Sequence, residues 1–386
     1  MNGLSAVIFV PDDRSKTGYP EPTMLSPILG APLLTWLSHG LYESGIGRFF
    51  LMCHEADLSR ALACLPPEAE VMTSEDSDPA DQLHVFLSTA EEAEEEVTII
   101  TGPTLYLPNV KGEGNGKSPA CLVEREILMD ALDQEFTFSL FLYRNSKVLR
   151  DSEGFYGVES PEAIPALLDL LRRDQALRLG RIGVQIMDPN SCYIAPTARF
   201  EHGVELLPGT MIRGNSLIRA GAKIGPWSVI EDSEIGEGSC VNVSQVYGSK
   251  IASEVLIGPY AHIRQGSDFA RGVHVGSFVE TKNAKLGENT WAAHLSDLGD
   301  TEIGQGCNIG CGTATANFDR VDKHRTLIGD NAFIGCNTVL VAPVQVGEGA
   351  YIGAGSTITE NVPENALGIA RSRQSNKKDW ALKHKL

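Results

Sequence analysis

The chain has 386 residues, enough for two domains with real cores, and a formal net charge of −18. That charge argues against nucleic acid and against an anionic membrane surface as partners. No apolar run approaches the ~20 residues that span a bilayer, no basic-then-apolar leader opens the chain, and the eight cysteines include no CxxC pair, so we expect a cytoplasmic protein without disulfides, structural zinc or another bound metal.

Residues 4–10 (LSAVIFV) read as a buried strand. Leu34, Leu37 and Leu41 form a helical stripe between Ala31 and Ser44, stopped at Gly45. Arg48 to Cys53 and Val97 to Thr101 are the next strands, and this alternation predicts a Rossmann-like α/β domain with a mostly parallel sheet over residues 1–159. The acidic run Glu91 to Glu96 reads as a solvated helix face. The segment KGEGNGKS at 111–118 has Lys111 where a phosphate-binding GxxxxGK[ST] loop needs its first glycine, so it reads as a surface turn. Ser160-Pro161 caps a helix with Ile164, Leu167, Leu168 and Leu171 as its buried stripe, which runs to about Leu179. Residues 160–185 form the linker and 186–386 the second domain.

The second domain is written in sixes. Ile194, Phe200, Leu206, Ile212, Ile218, Ile224 and Ile230 fall six apart, and so do Ile328, Ile334, Leu340, Val346, Ile352 and Ile358. Between these runs an apolar-Gly pair keeps returning, as at Ile235-Gly236, Ile257-Gly258 and Ile309-Gly310. A fixed short period specifies a parallel β-helix in which each hexapeptide is one strand and one corner of a triangular coil. The aliphatic residue points inward, and glycine is expected at the corner for its backbone freedom. At 18 residues per coil, residues 192–362 give about nine coils. The stretch Ala316 to Thr326 breaks the register and must leave the coil as a loop, where function tends to sit. Cys307 and Cys311 read as small buried side chains, since no second pair completes a metal site.

From Ile257 to about Gln374 the chain carries IGPYAHIRQG, HVGSFVETKNAKLG, HLSDLGD, EIGQGCNIGCGT, ANFD, LVAPVQVG and ENALGIARS. On these strings it resembles the acetyltransferase domain of the GlmU family, bifunctional bacterial enzymes that make UDP-N-acetylglucosamine. The resemblance implies a left-handed β-helix, a homotrimer with sites in the grooves between subunits, acetyl-CoA as co-substrate and glucosamine 1-phosphate as acceptor. His294 matches the family's catalytic base, a task suited to an imidazole with a pKa near ~6.5; without the surrounding string it would read as a surface histidine. The backbone N–H of Cys311 is implied as oxyanion donor, with transfer direct from thioester to amine. Arg264 and Lys282 match positions that hold the sugar phosphate, where a guanidinium can bind bidentately and an ammonium acts as a point charge. Asn308 and, in the loop, Lys323 match further substrate positions. Cys311, Asn317, Phe318, Cys336, Ala354 and Arg371 match acetyl-CoA positions; small side chains at Cys336 and Ala354 suit a pantetheine arm lying flat, and packing alone would also account for them.

Two departures stand out. Asp297 occupies the place of a substrate-contacting tyrosine, and its carboxylate would repel a bound phosphate. The front domain looks like a shortened nucleotidyltransferase. Thr23 replaces the lysine of the family's Pro-Lys motif, and Pro11-Asp12-Asp13-Arg14-Ser15-Lys16 replaces its glycine-rich phosphate loop. Pro103 stands for one metal-binding residue, and the other falls near Glu159. Uridyltransferase activity is therefore expected to be lost. The leading expectation is an acetyl-CoA-dependent N-acetyltransferase for glucosamine 1-phosphate. The alternatives are the same reaction on another or nucleotide-linked amino sugar, a non-catalytic regulatory or scaffold homologue, and a retained bifunctional enzyme.

Overall fold

The computed structural model describes residues 4–18, 20–74, 79–90, 95–110, 119–132, 141, 144–145, 150–151, 153–158 and 164–384. The segment 111–118, the cap at Ser160-Pro161 and Glu159 lie outside them. The chain divides into two compact units, Met1–Ala198 with Ile212–Gly214, and Arg199–Met211 with Asn215–Leu386.

In the first unit Ser5–Phe9 lies between Arg48–Met52 and Glu96–Ile100, with Glu70–Thr73 beyond Arg48–Met52, all parallel. Ala120–Glu124 and Arg150–Asp151 extend the sheet antiparallel. Alternation along the first strand sends Ala6 and Ile8 to one face, against Leu34, Leu37 and Leu41, and Val7 to the other, against Phe50, Phe86 and Leu87. The helical stripe is as expected, but the helix runs Leu33–Glu43, because Ala31–Pro32 pairs with Pro27–Ile28 in a small ribbon. Glu96 opens a strand and not a helix face; residues 91–94 are not among those described. Helix Ile164–Arg181 carries the predicted stripe, with Leu167 and Leu171 buried.

The turn after the first strand holds an ion-pair cluster. Arg14 donates to both Asp57 oxygens (2.6 and 2.5 Å) and to Asp12 Oδ2 (3.1 Å). Asp13 accepts from the backbone N–H of Thr23 (2.9 Å), and the Thr23 side chain is buried with its hydroxyl unpartnered among the described residues.

The second unit is a left-handed parallel β-helix. Nine parallel strands stack on one face, from Arg199–Phe200 to Val344–Val346, one per coil. Leu206, Ile218, Ile224, Ile230, Ile334, Leu340 and Ile352 fill the interior and are fully buried, each stabilising the coil by about 1.5–3 kcal/mol relative to exposure. Inward hydroxyls find backbone partners in many coils: Ser244 Oγ donates to Asn242 O (2.7 Å) and accepts from Ala261 N (3.0 Å). Among the described residues no helix is long and apolar enough to cross a membrane.

The glycines of the apolar-Gly pairs serve another purpose than the one expected. Most have ordinary negative φ; they are glycine because the next coil's backbone comes too close for a Cβ. A Cβ on Gly236 would stand 2.3 Å from Ala252 C, and one on Gly276 would stand 2.0 Å from Ala293 O. Left-handed corners fall mainly on other glycines, such as Gly203, Gly221, Gly238, Gly272 and Gly306, with Gly225 and Gly258 the pair members that share this role, and on asparagines with φ of 54 to 57° at Asn283, Asn289, Asn331, Asn337 and Asn365. Gly236→Ala, far from the candidate site, is therefore expected to destabilise the coil by at least about 1–3 kcal/mol, the usual cost of overpacking. A thermal melt matching the parent would refute this account.

Candidate active site

Two long strands, His274–Lys282 and Trp291–Gly299, each turn a corner without leaving the ladder. Phe278 (φ 61°) and Leu295 (φ 30°) make the bend, so the first half of each strand lies on one face of the coil and the second half on the next. His294 stands at this bend, exposed and in register with Ser277. The ladder continues the corner row into later coils. Gly312 N donates to Leu295 O (2.6 Å) and Asn337 N to Cys311 O (2.7 Å), so His294 is followed by Cys311, Cys336 and then Ala354. Arg371 lies past them, its Cδ 3.6 Å from where a Cβ on Gly355 would be. The N–H of Cys311 has no hydrogen-bond acceptor among the described residues, whereas those of Gly310 and Gly312 are both bonded. It is free to donate to an oxyanion.

Earlier coils supply the charged wall on the face beyond the bend. His262, Glu280 and Asp297 form one outward row of directly paired residues. Arg264 Nη1 donates to Glu280 Oε1 (2.7 Å), so this guanidinium is already half-satisfied by a carboxylate that sequence reading did not single out. Lys282, at the end of its strand, is half-buried and has no ion-pair partner among the described residues. Partial burial, and then Glu280, push the Asp297 carboxyl above the usual range, with Arg264 opposing. Asn308 occupies the other face, between Trp291 and Phe333 in register. His274 packs tilted against Trp291 (4.8 Å between centroids, 42° between planes); burial, and then His294, lower its pKa.

The interrupting loop leaves after Ala314–Ala316 and returns at Thr326–Ile328. Asp300, also missed, ties it down, accepting from Asn317 Nδ2 (2.6 Å) and Asn283 Nδ2 (2.8 Å) and facing Lys323 Nζ at 3.9 Å. Phe318 pairs with Lys323 across the loop and stays largely exposed. Asp319 gathers the loop tip by accepting from His324, Asp322 and Val321, and the His324 bond first among these holds its carboxyl well below the usual range. Both aspartates stood in the motif strings HLSDLGD and ANFD, but nothing in those strings marks them as tethers. Cys307 is buried as expected, while Cys311 is only half-buried and Cys336 is exposed. Among the described residues no group of three or more His, Cys, Asp or Glu converges as for a metal ion.

Residues 325–360 match the family model described as bacterial transferase hexapeptide (six repeats). The bifunctional protein GlmU of Caldicellulosiruptor saccharolyticus is 52% identical over 203 residues, covering 53% of this chain and 44% of that protein. The hexapeptide half of the chain is GlmU-like. The bifunctional protein GlmU of a Cyanothece species is 44% identical over 238 residues, 61% of this chain and 52% of its own. The chain spans about half the length of the curated relatives it matches. Among solved structures, an Arabidopsis UDP-N-acetylglucosamine acyltransferase aligns over 48% of the chain and 66% of its own, at 17% identity and a TM-score of 0.31.

Proposed function

We propose that the GlmU-like half transfers acetyl from acetyl-CoA to the amine of glucosamine 1-phosphate. The observation that carries this reading is the corner row: a solvent-facing histidine, an unbonded N–H one coil on, and small side chains beyond. His294 takes the proton as the neutral amine attacks the thioester carbonyl. The Cys311 N–H donates to the oxygen that becomes negative. Collapse breaks the C–S bond, the amide forms, and the coenzyme leaves as a thiol carrying the proton.

Arg264 and Lys282 supply the phosphate's counter-charge, and Asn308 and Lys323 orient the sugar. Cys336 and Ala354 leave a low strip for the pantetheine arm, and Asn317, Phe318 and Arg371 are further contacts that we assign to the coenzyme, Arg371 to its phosphates. The exposed row Leu256, Trp291, Phe333, Tyr351 and Leu367 supports packing of this face against further copies, and we take the assembly to be a homotrimer. The test is thiol release from acetyl-CoA with glucosamine 1-phosphate, glucosamine and other amino sugars in parallel. Release that depends on glucosamine 1-phosphate upholds the reading. Release only with a different amine moves the substrate, as Asp297 would favour, and silence with all of them sinks it.

For the front unit we propose loss of uridyl transfer. A nucleotide's phosphates need converging backbone N–H groups, and here Arg14, Asp12 and Asp57 fill the turn with their own ion pairs. With UTP, Mg²⁺ and N-acetylglucosamine 1-phosphate, no pyrophosphate release above background is expected; enzyme-dependent release would overturn this.

A further inference from the structure

Cys311 and Cys336 do nothing in the transfer chemistry that a smaller side chain could not do, yet they sit directly across from one another in successive coils. The bonds Gly310 N to Ile334 O (2.8 Å) and Asn337 N to Cys311 O (2.7 Å) bracket the pair and fix its register. Neighbouring strands stand ~4.8 Å apart, within the ~4.4–6.8 Å between α-carbons that a disulfide spans. Both side chains leave the same corner outward, Cys336 exposed and Cys311 half-buried. Five of the other six thiols are poorer candidates for exchange. Cys64, Cys192 and Cys307 are buried, and burial pushes Cys53 up to about 11 and raises Cys64, Cys240 and Cys307.

We propose that Cys311 and Cys336 form a modification site, a dithiol that reacts with coenzyme A disulfide and closes into a coil-to-coil disulfide across the pantetheine strip. The choice of coenzyme A disulfide rests on the acetyl-CoA reading above. The Cys336 thiolate attacks one sulfur of coenzyme A disulfide, forming a mixed disulfide and expelling one coenzyme thiolate. Cys311 then attacks Cys336 Sγ, expels the second coenzyme thiolate and completes the protein disulfide. Two cysteine thiols are oxidised, one small-molecule disulfide is reduced, and two protons pass to solvent. The product occupies the strip and excludes acetyl-CoA until a dithiol reductant reopens it.

The test treats the full chain with coenzyme A disulfide, or with glutathione disulfide in parallel, and reads intact mass and peptide maps. The parent chain is expected to end two hydrogens lighter with Cys311 and Cys336 peptides joined, faster with the coenzyme disulfide. Cys311→Ser should stop at one coenzyme adduct on Cys336, and Cys336→Ser should give neither adduct nor cross-link. The oxidised chain should lose acetyl-CoA affinity by at least about tenfold and regain it with dithiothreitol. No cross-link, an adduct centred on another cysteine, equal rates with glutathione disulfide, or unchanged acetyl-CoA binding would each overturn the proposal. Mass readouts do not need acetyl transfer. A chain that cross-links but acetylates nothing condemns the transferase reading alone, and one that acetylates without cross-linking condemns this site alone.

Discussion

His294→Ala is expected to lower acetyl-transfer turnover by about 10²–10⁴-fold, the usual worth of a positioned general base, while leaving acetyl-CoA affinity unchanged. The split follows from the geometry. His294 stands at the bend of Trp291–Gly299, and the positions assigned to the coenzyme lie in later coils, at Cys336 and Ala354, held by backbone bonds that do not involve the imidazole. Removing the ring leaves that strip and the Cys311 N–H in place. Binding should therefore survive in calorimetry while steady-state thiol release falls. Comparable turnover in the variant would remove His294 as base, and joint loss of turnover and affinity would point to a collapsed coil instead. The neighbour His274 supplies the control. Its ring lies tilted against Trp291 with Nδ1 buried and unpartnered among the described residues, so it is badly placed to collect a substrate proton.

The coil was legible because its period is short and one inward position per hexapeptide is kept aliphatic: the residues six apart in Ile328 to Ile352 are all buried. The front sheet was legible from its buried strands and the Leu34, Leu37, Leu41 stripe. What sequence could not supply was adjacency between coils. His294, Cys311, Cys336 and Ala354 share one row, but their separations are 17, 25 and 18 residues, because the loop after Ala316 is spliced into one turn. No fixed period predicts such a row. Arg264 and Glu280, 16 residues apart, meet because successive coils stack, so a guanidinium that reads as a free phosphate ligand proves to have a carboxylate partner. The glycines of the apolar-Gly pairs were misread on similar grounds. Close approach by a neighbouring backbone is a tertiary fact, and a glycine letter does not distinguish it from a need for positive φ.

Asp297→Tyr is expected to shift acceptor preference towards phosphate-bearing sugars. Asp297 follows Glu280 in the outward row, close to the cations assigned to the phosphate, and burial first, then Glu280, raise its carboxyl. A unit negative charge at ~5 Å opposes another by about 3 kcal/mol at an effective dielectric of 20. Asp297 is exposed, so water and salt should cut this to about 1 kcal/mol, a factor of about five to ten. The ratio of kcat/KM for glucosamine 1-phosphate to that for glucosamine should rise by this factor in Asp297→Tyr, and in Asp297→Asn, which separates charge from ring. The pH dependence has a definite sign. Above its pKa the carboxylate repels phosphate; as pH falls through that raised pKa it is neutralised and the repulsion goes. In the parent chain KM for glucosamine 1-phosphate should therefore improve on acidification relative to either variant, the substrate's own titration cancelling in the comparison. An unchanged ratio would mean that Asp297 turns away from the acceptor. A loss of kcat/KM in both variants with some other amino sugar would mean instead that the carboxylate accepts a hydrogen bond from that sugar, and the acceptor assignment would move to it.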